Sequence, residues 1–89
     1  MLEIAYRTKF KKELNTQKNR GRNLQKFKDL AKKLANQEKL DPKHHNHKLT
    51  GNFDGRWECH IEPDWLLVYR RTDTEIIFER TGSHSDLFK

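Results

Sequence analysis

Apolar residues recur along this chain with two different periods, and each period names an element. Leu2, Ile4 and Tyr6 alternate with Glu3 and Ala5, which predicts a short strand at the N-terminus. Phe10 and Leu14 then stand four apart among lysines, the spacing of one helical face. Thr8 is placed to cap that helix at Lys9, with Tyr6 packing at its start. Gly21 interrupts the pattern and Asn23 offers a second cap. From there Leu24, Phe27, Leu30, Ala31, Leu34 and Ala35 trace a stripe at spacings of three and four, opposite Lys26, Lys28, Lys32 and Lys33. A join confined to residues 19–22 predicts an antiparallel helix pair. The weak stripe of the first helix requires cover from the second and from a sheet.

The second half changes to period two. Leu40 to Thr50 is polar, holds Asp41-Pro42 and three histidines, and reads as a loop with one short turn. Gly51 and Asp54-Gly55 mark further turns. Trp57, Cys59 and Ile61 alternate with Glu58 and His60 in a strand. Glu62-Pro63-Asp64-Trp65 is a turn with proline at its second position. Leu66 to Arg71 and Thr74 to Arg80 are two more strands, the last with Ile76 and Phe78 on one face. Such short joins predict antiparallel neighbours, with the first strand pairing to one of them. The fold class is α+β: one domain, 1–89, with a helix pair covering one face of a twisted antiparallel sheet.

Composition sharpens this picture through charge. The 89 residues carry a net charge of +6. Residues 1–50 hold 14 Lys or Arg against 5 Asp or Glu, whereas residues 51–89 hold 5 against 8. A basic half on a small domain suggests a polyanion partner, RNA or DNA first, although a solvated lysine-rich surface has the same composition. No stretch approaches the roughly 20 apolar residues of a membrane span. The N-terminus lacks an export signal, and a lone Cys59 has no internal disulfide partner. A cytoplasmic protein without membrane contact is expected.

Chemistry-bearing residues gather in the second half. If Trp57, Cys59 and Ile61 face the helices, His60 and Glu58 take the open face. Asp64 and Trp65 follow at the strand end, Arg80 closes the last strand, His84 and Phe88 lie in the tail, and His47 precedes the sheet. Imidazole, carboxylate and guanidinium around one cleft suit phosphodiester cleavage. A neutral imidazole takes a proton from a ribose 2′-OH and a protonated one returns it to the leaving 5′-oxygen, while guanidinium stabilises charge on the phosphorus oxygens. An aromatic ring such as Trp65 or Phe88 stacks on a base. RNA supplies its own nucleophile, so neither cofactor nor metal is needed. Each residue also has a structural explanation: a satisfied strand histidine, a turn aspartate, a core tryptophan. A zinc site from His44, His45, His47 and Cys59 matches no standard spacing, and Cys59 reads as a buried, inert thiol.

Three motifs, H-x-L-x-G (from His47), H-x-E-P-D-W-L-L-x-Y (from His60) and F-E-R-T-G-[ST]-H-x-x-L-F (from Phe78), together resemble the YafQ branch of the RelE/ParE toxin superfamily. The resemblance implies a toxin of a bacterial type II toxin–antitoxin operon that enters the 70S ribosome and cleaves mRNA in the A site without metal. It places functional positions at His47, His60, Asp64, Trp65, Arg80, His84 and Phe88. An acidic sheet position appears here as Glu58. Arg80 would hold the scissile phosphate and His84 act as general acid, with Asp64 and His60 setting its proton and His47 as base, roles that remain exchangeable. Trp65 and Phe88 would shape the nucleotide pocket. Lys9, Lys12, Lys26, Lys32 and Lys33 would face ribosomal RNA, and a cognate antitoxin would silence the toxin. A non-catalytic RNA-binding relative and a ParE-like gyrase inhibitor share the scaffold.

Overall fold

The computed structural model describes residues 1–49 and 55–88. Strand β1 (Glu3–Tyr6) leads into helices α1 (Thr8–Asn19) and α2 (Leu24–Ala35). A 3₁₀ turn (Pro42–His44), strands β2 (His47–Lys48), β3 (Trp57–Glu62), β4 (Trp65–Arg71) and β5 (Glu75–Gly82), and a short helix α3 (His84–Leu87) follow. The strands form one sheet in the order β1-β5-β4-β3-β2. Hairpins β3–β4 and β4–β5 are antiparallel as their short joins require, whereas β1 pairs with β5 in parallel. The parallel pairing follows from topology, because the chain crosses over through both helices before it returns to the sheet.

Both helices lie on one face of the sheet. Phe10, Phe27, Leu30, Ala31 and Leu34 join Cys59, Ile61, Trp65, Leu67, Tyr69, Ile76 and Phe78 in one buried cluster. The rings of Phe10, Phe27 and Phe78 sit at its centre, 5.2–5.6 Å apart. Phe10 meets Phe27, while Leu14 and Leu24 line the same inter-helix groove, so the pair is antiparallel. Asn23 caps α2 by accepting from the Gln25 N–H at 3.0 Å.

Four local expectations change. Thr8 is the first residue of α1, not its cap; the cap is Arg7, in extended conformation and without a side-chain bond. The segment expected as a loop with one turn also holds a strand, since β2 adds a two-residue edge to β3 through His47–Glu58 and Lys48–Trp57. The core contact comes from Leu2, just before β1, while Ile4 and Tyr6 within this edge strand are 38% and 44% exposed. Tyr6 still stacks on Phe10 at the start of α1, with ring centroids 5.8 Å apart. The tail is a short helix held by Ser83 and Asp86, whose side chains bond each other's backbone N–H. The turn expected at Gly51 and Asp54 lies outside the described residues. Gly55 is described at φ 86, a left-handed conformation suited to glycine.

Candidate active site

Strand register settles which side chains share the face away from the helices. Glu58, Val68 and Arg80 form one cross-strand row, and His60, Leu66 and Gly82 form the next. His60 and Arg80 therefore stand on the same side of the sheet, two strands apart. Leu66 and Val68 fill the middle of this face and are buried. Cys59 points the other way, into the core, where burial pushes its thiol up to about 12. It cannot share a site with the histidines.

The histidines converge at one end of this face. The 3₁₀ turn is pinned to β3, because the His60 carbonyl accepts from His44 Nδ1 at 2.7 Å. That brings the His45 ring to 5.2 Å from the His60 ring. From the tail, the His84 ring stands edge-on to His60 at 5.7 Å. Glu58, only 7% exposed, holds its Oε1 3.7 Å from both His47 Nε2 and His60 Nε2. His47 donates from Nδ1 to the His45 carbonyl at 2.6 Å, so in the neutral ring Nε2 carries the lone pair. Burial lowers the His60 pKa below the ordinary histidine value; Glu58 opposes this and His45, His84 and His47 reinforce it.

Asp64 and His84 form the tightest contact of the cluster. One carboxylate oxygen of Asp64 accepts from the His84 backbone N–H at 2.9 Å and from its Nδ1 at 2.7 Å. These two bonds hold the Asp64 carboxyl below the usual carboxylate range, with help from Arg22. The Nδ1 proton is thereby fixed, and Nε2 is the nitrogen left to exchange a proton with a substrate.

Arg80 belongs to a neighbouring group. Its Nε and Nη2 grip the Glu13 carboxylate of α1 at 2.8–3.0 Å. That ion pair raises the already high Arg80 pKa and uses one edge of the guanidinium. Trp65 departs from its expected role. It is fully buried, and its Nε1 donates to Thr81 Oγ1 at 2.9 Å, so no ring face is left for a base. Phe88 is 41% exposed at the end of α3. Lys9, Lys12, Lys26, Lys32 and Lys33 are all exposed on the helical side. Lys26 is tied to Glu62 at 3.1 Å, and with Lys43 and His44 it lines an open groove of about 260 Å³ that reaches His60. Sequence reasoning missed Glu13 and Arg22, polar residues on or beside lysine-rich helices with no periodic signal to set them apart.

A strand, a helix pair and then a twisted sheet whose one face the helices cover is the RelE-like topology. The profile of one family, described as "Bacterial toxin of type II toxin-antitoxin system, YafQ", matches residues 2–89. The chain belongs to this YafQ family. It is 36% identical over 87 residues to the mRNA interferase toxin YafQ of Escherichia coli K12, covering 97% of this chain and 95% of that protein. The E. coli DinJ–YafQ toxin–antitoxin complex contains a similar chain, at 35% identity and a TM-score of 0.91, with 99% and 98% of the two chains covered. A copper-bound L66S mutant toxin from Helicobacter pylori superposes with a TM-score of 0.94 at 36% identity, covering 99% of this chain and all of that one.

Proposed function

We propose that this toxin is a ribosome-dependent endoribonuclease that cleaves mRNA in the A site by acid–base catalysis. The observation that carries the reading is the Asp64–His84 pair set 5.7 Å, ring to ring, from His60. Two imidazoles at that separation can flank one phosphodiester. His60, kept neutral by burial, takes the proton of the ribose 2′-OH as the 2′-oxygen bonds to phosphorus. His84 enters protonated on both nitrogens, its charge balanced by Asp64, and gives the Nε2 proton to the 5′-oxygen as the P–O5′ bond breaks. The products are a 2′,3′-cyclic phosphate and a 5′-hydroxyl. Geometry thus favours His60 over His47 as the base, and His47 with Glu58 sets the charge behind it. Arg80, oriented by Glu13, offers its remaining N–H groups to the non-bridging oxygens. Phe88 stacks on the substrate base.

The basic first half and its exposed lysines support docking on ribosomal RNA, and the groove from Lys43 to His60 offers a path for the message. Membership in a toxin–antitoxin family supports a cognate antitoxin as partner. No helix among the described residues is long and apolar enough to cross a membrane, in keeping with work in the cytoplasm on translating ribosomes.

Primer extension on a message translated in a cell-free extract tests this reading. Parent protein gives position-specific cuts that survive a strong chelator. His84→Ala lowers the cutting rate at least about 100-fold, the scale of a lost acid. A His84→Ala variant that cuts as fast as the parent overturns the assignment, and intact message on stalled ribosomes points instead to a non-catalytic binder.

A further inference from the structure

The Asp64 and His84 side chains are 62% and 56% exposed, yet they meet at 2.7 Å. An exposed ion pair contributes little and cannot by itself fix two side chains in one geometry. Something else sets the elements that carry them. We propose that Arg20 and Arg22, on the connection between α1 and α2, are positioning residues that hold Asp64 and His84 together. The inference rests on the reading of that pair as proton donor.

The two arginines act on opposite halves of the pair. Arg22 Nη2 donates to the Asp64 backbone carbonyl at 2.9 Å, and its guanidinium lies 5.4 Å from the centroid of the buried Trp65 ring. Its Nη1 also stands 3.6 Å from Glu62 Oε1 at the end of β3. This fixes the β3–β4 turn. Arg20 grips Asp86 with both terminal nitrogens, at 2.6 and 3.2 Å. Asp86 is the residue whose carboxylate bonds the Ser83 N–H and shapes the first turn of α3, where His84 is the first residue. Gln17, 1% exposed, joins the two grips. Its Oε1 accepts from Arg22 Nε at 3.0 Å, and its Nε2 donates to Asp86 at 3.4 Å. One segment remote in sequence therefore clamps both the carboxylate turn and the histidine helix against the end of α1. Displacement of a catalytic group by about 1 Å costs on the order of 100-fold in rate, so the clamp has consequences for turnover.

The test compares Arg20→Ala and Arg22→Gln with the parent on programmed ribosomes and, separately, by hydrogen exchange. The His84 amide, which donates to Asp64, exchanges at least tenfold faster in either variant, while β4 amides keep their protection and report an intact fold. The turnover number falls about 10- to 100-fold with KM within twofold. Unchanged exchange at His84 overturns the proposal, as does a raised KM at unchanged turnover, which makes the arginines ribosome contacts. Faster His84 exchange with unchanged turnover upholds the clamp and overturns instead the role of His84 as acid.

Discussion

At the residue scale, neighbours in the sequence serve different ends according to which face of the sheet they occupy. Cys59 and His60 are neighbours, yet one is an inert thiol in the core and the other a half-buried imidazole in the cluster. Trp65 and Asp64 divide likewise. The aspartate turns outward to His84, and the tryptophan goes inward, where Thr81 Oγ1 accepts its N–H and in turn donates to the Leu66 carbonyl at 2.8 Å. This makes Trp65 a structural residue, with a measurable consequence. Trp65→Phe removes a buried donor and part of a large ring, and should lower stability by about 2 kcal/mol in urea denaturation. A loss below about 0.5 kcal/mol, the usual scale of surface substitutions, would contradict the buried role.

At the element scale, the site depends on how the last strand hands over to α3. Gly82 ends β5 directly beneath Asp86; a Cβ there would meet Asp86 Cβ at 2.8 Å and Oδ2 at 2.9 Å. Neither contact is tolerable, and the aspartate is not free to swing, because Arg20 and the Ser83 N–H hold it. Gly82→Ala should therefore destabilise the fold by about 1–3 kcal/mol and loosen α3, seen as faster exchange of the Asp86 and Leu87 amides. Equal stability and unchanged exchange would show that the helix reseats without cost. The elements differ in how far the sequence disclosed them. α2 was legible from its stripe and Asn23 cap, β3 from its alternation, and β4 as a short apolar run bounded by the Pro63 turn and Thr72-Asp73. β2 was not, since two residues carry no period and gain their identity only from pairing with β3. Likewise α3 is four residues long and held by side-chain bonds. The histidine–aspartate cluster was legible as residue types, and the family resemblance marked its positions. Its partners were not: Glu13 on Arg80, Arg22 on the Asp64 carbonyl and Arg20 on Asp86 are contacts made by ordinary polar side chains across more than 40 residues.

At the scale of the whole molecule, charge links stability to pH in one direction. Asp86 is held far below the usual carboxylate range, first by Arg20 and then by the Ser83 N–H, and Asp64 is lowered by its bonds to His84. Depressed carboxylates stabilise the fold above their unfolded pKa of about 3.9, and that contribution fades as pH falls toward the folded values. His60 is also depressed, by burial, so the unfolded chain takes up a proton there before the folded one does. Its effect has the same sign and begins below about pH 6.5. Protonating carboxylates also pushes the net charge above its neutral-pH value of +6, adding repulsion among the lysines. Every contribution thus runs the same way, and the unfolding midpoint should decline gently below pH 6.5 and steeply below about pH 4. Asp86→Asn separates the causes. It starts less stable at pH 7, because the Arg20 guanidinium loses its counter-charge, and has less to lose on acidification, so the gap between its curve and the parent's should narrow progressively below about pH 4. Parallel curves for parent and Asp86→Asn across that range would mean that the Arg20–Asp86 grip contributes nothing to the acid limb, and would shift the origin of acid sensitivity to general repulsion.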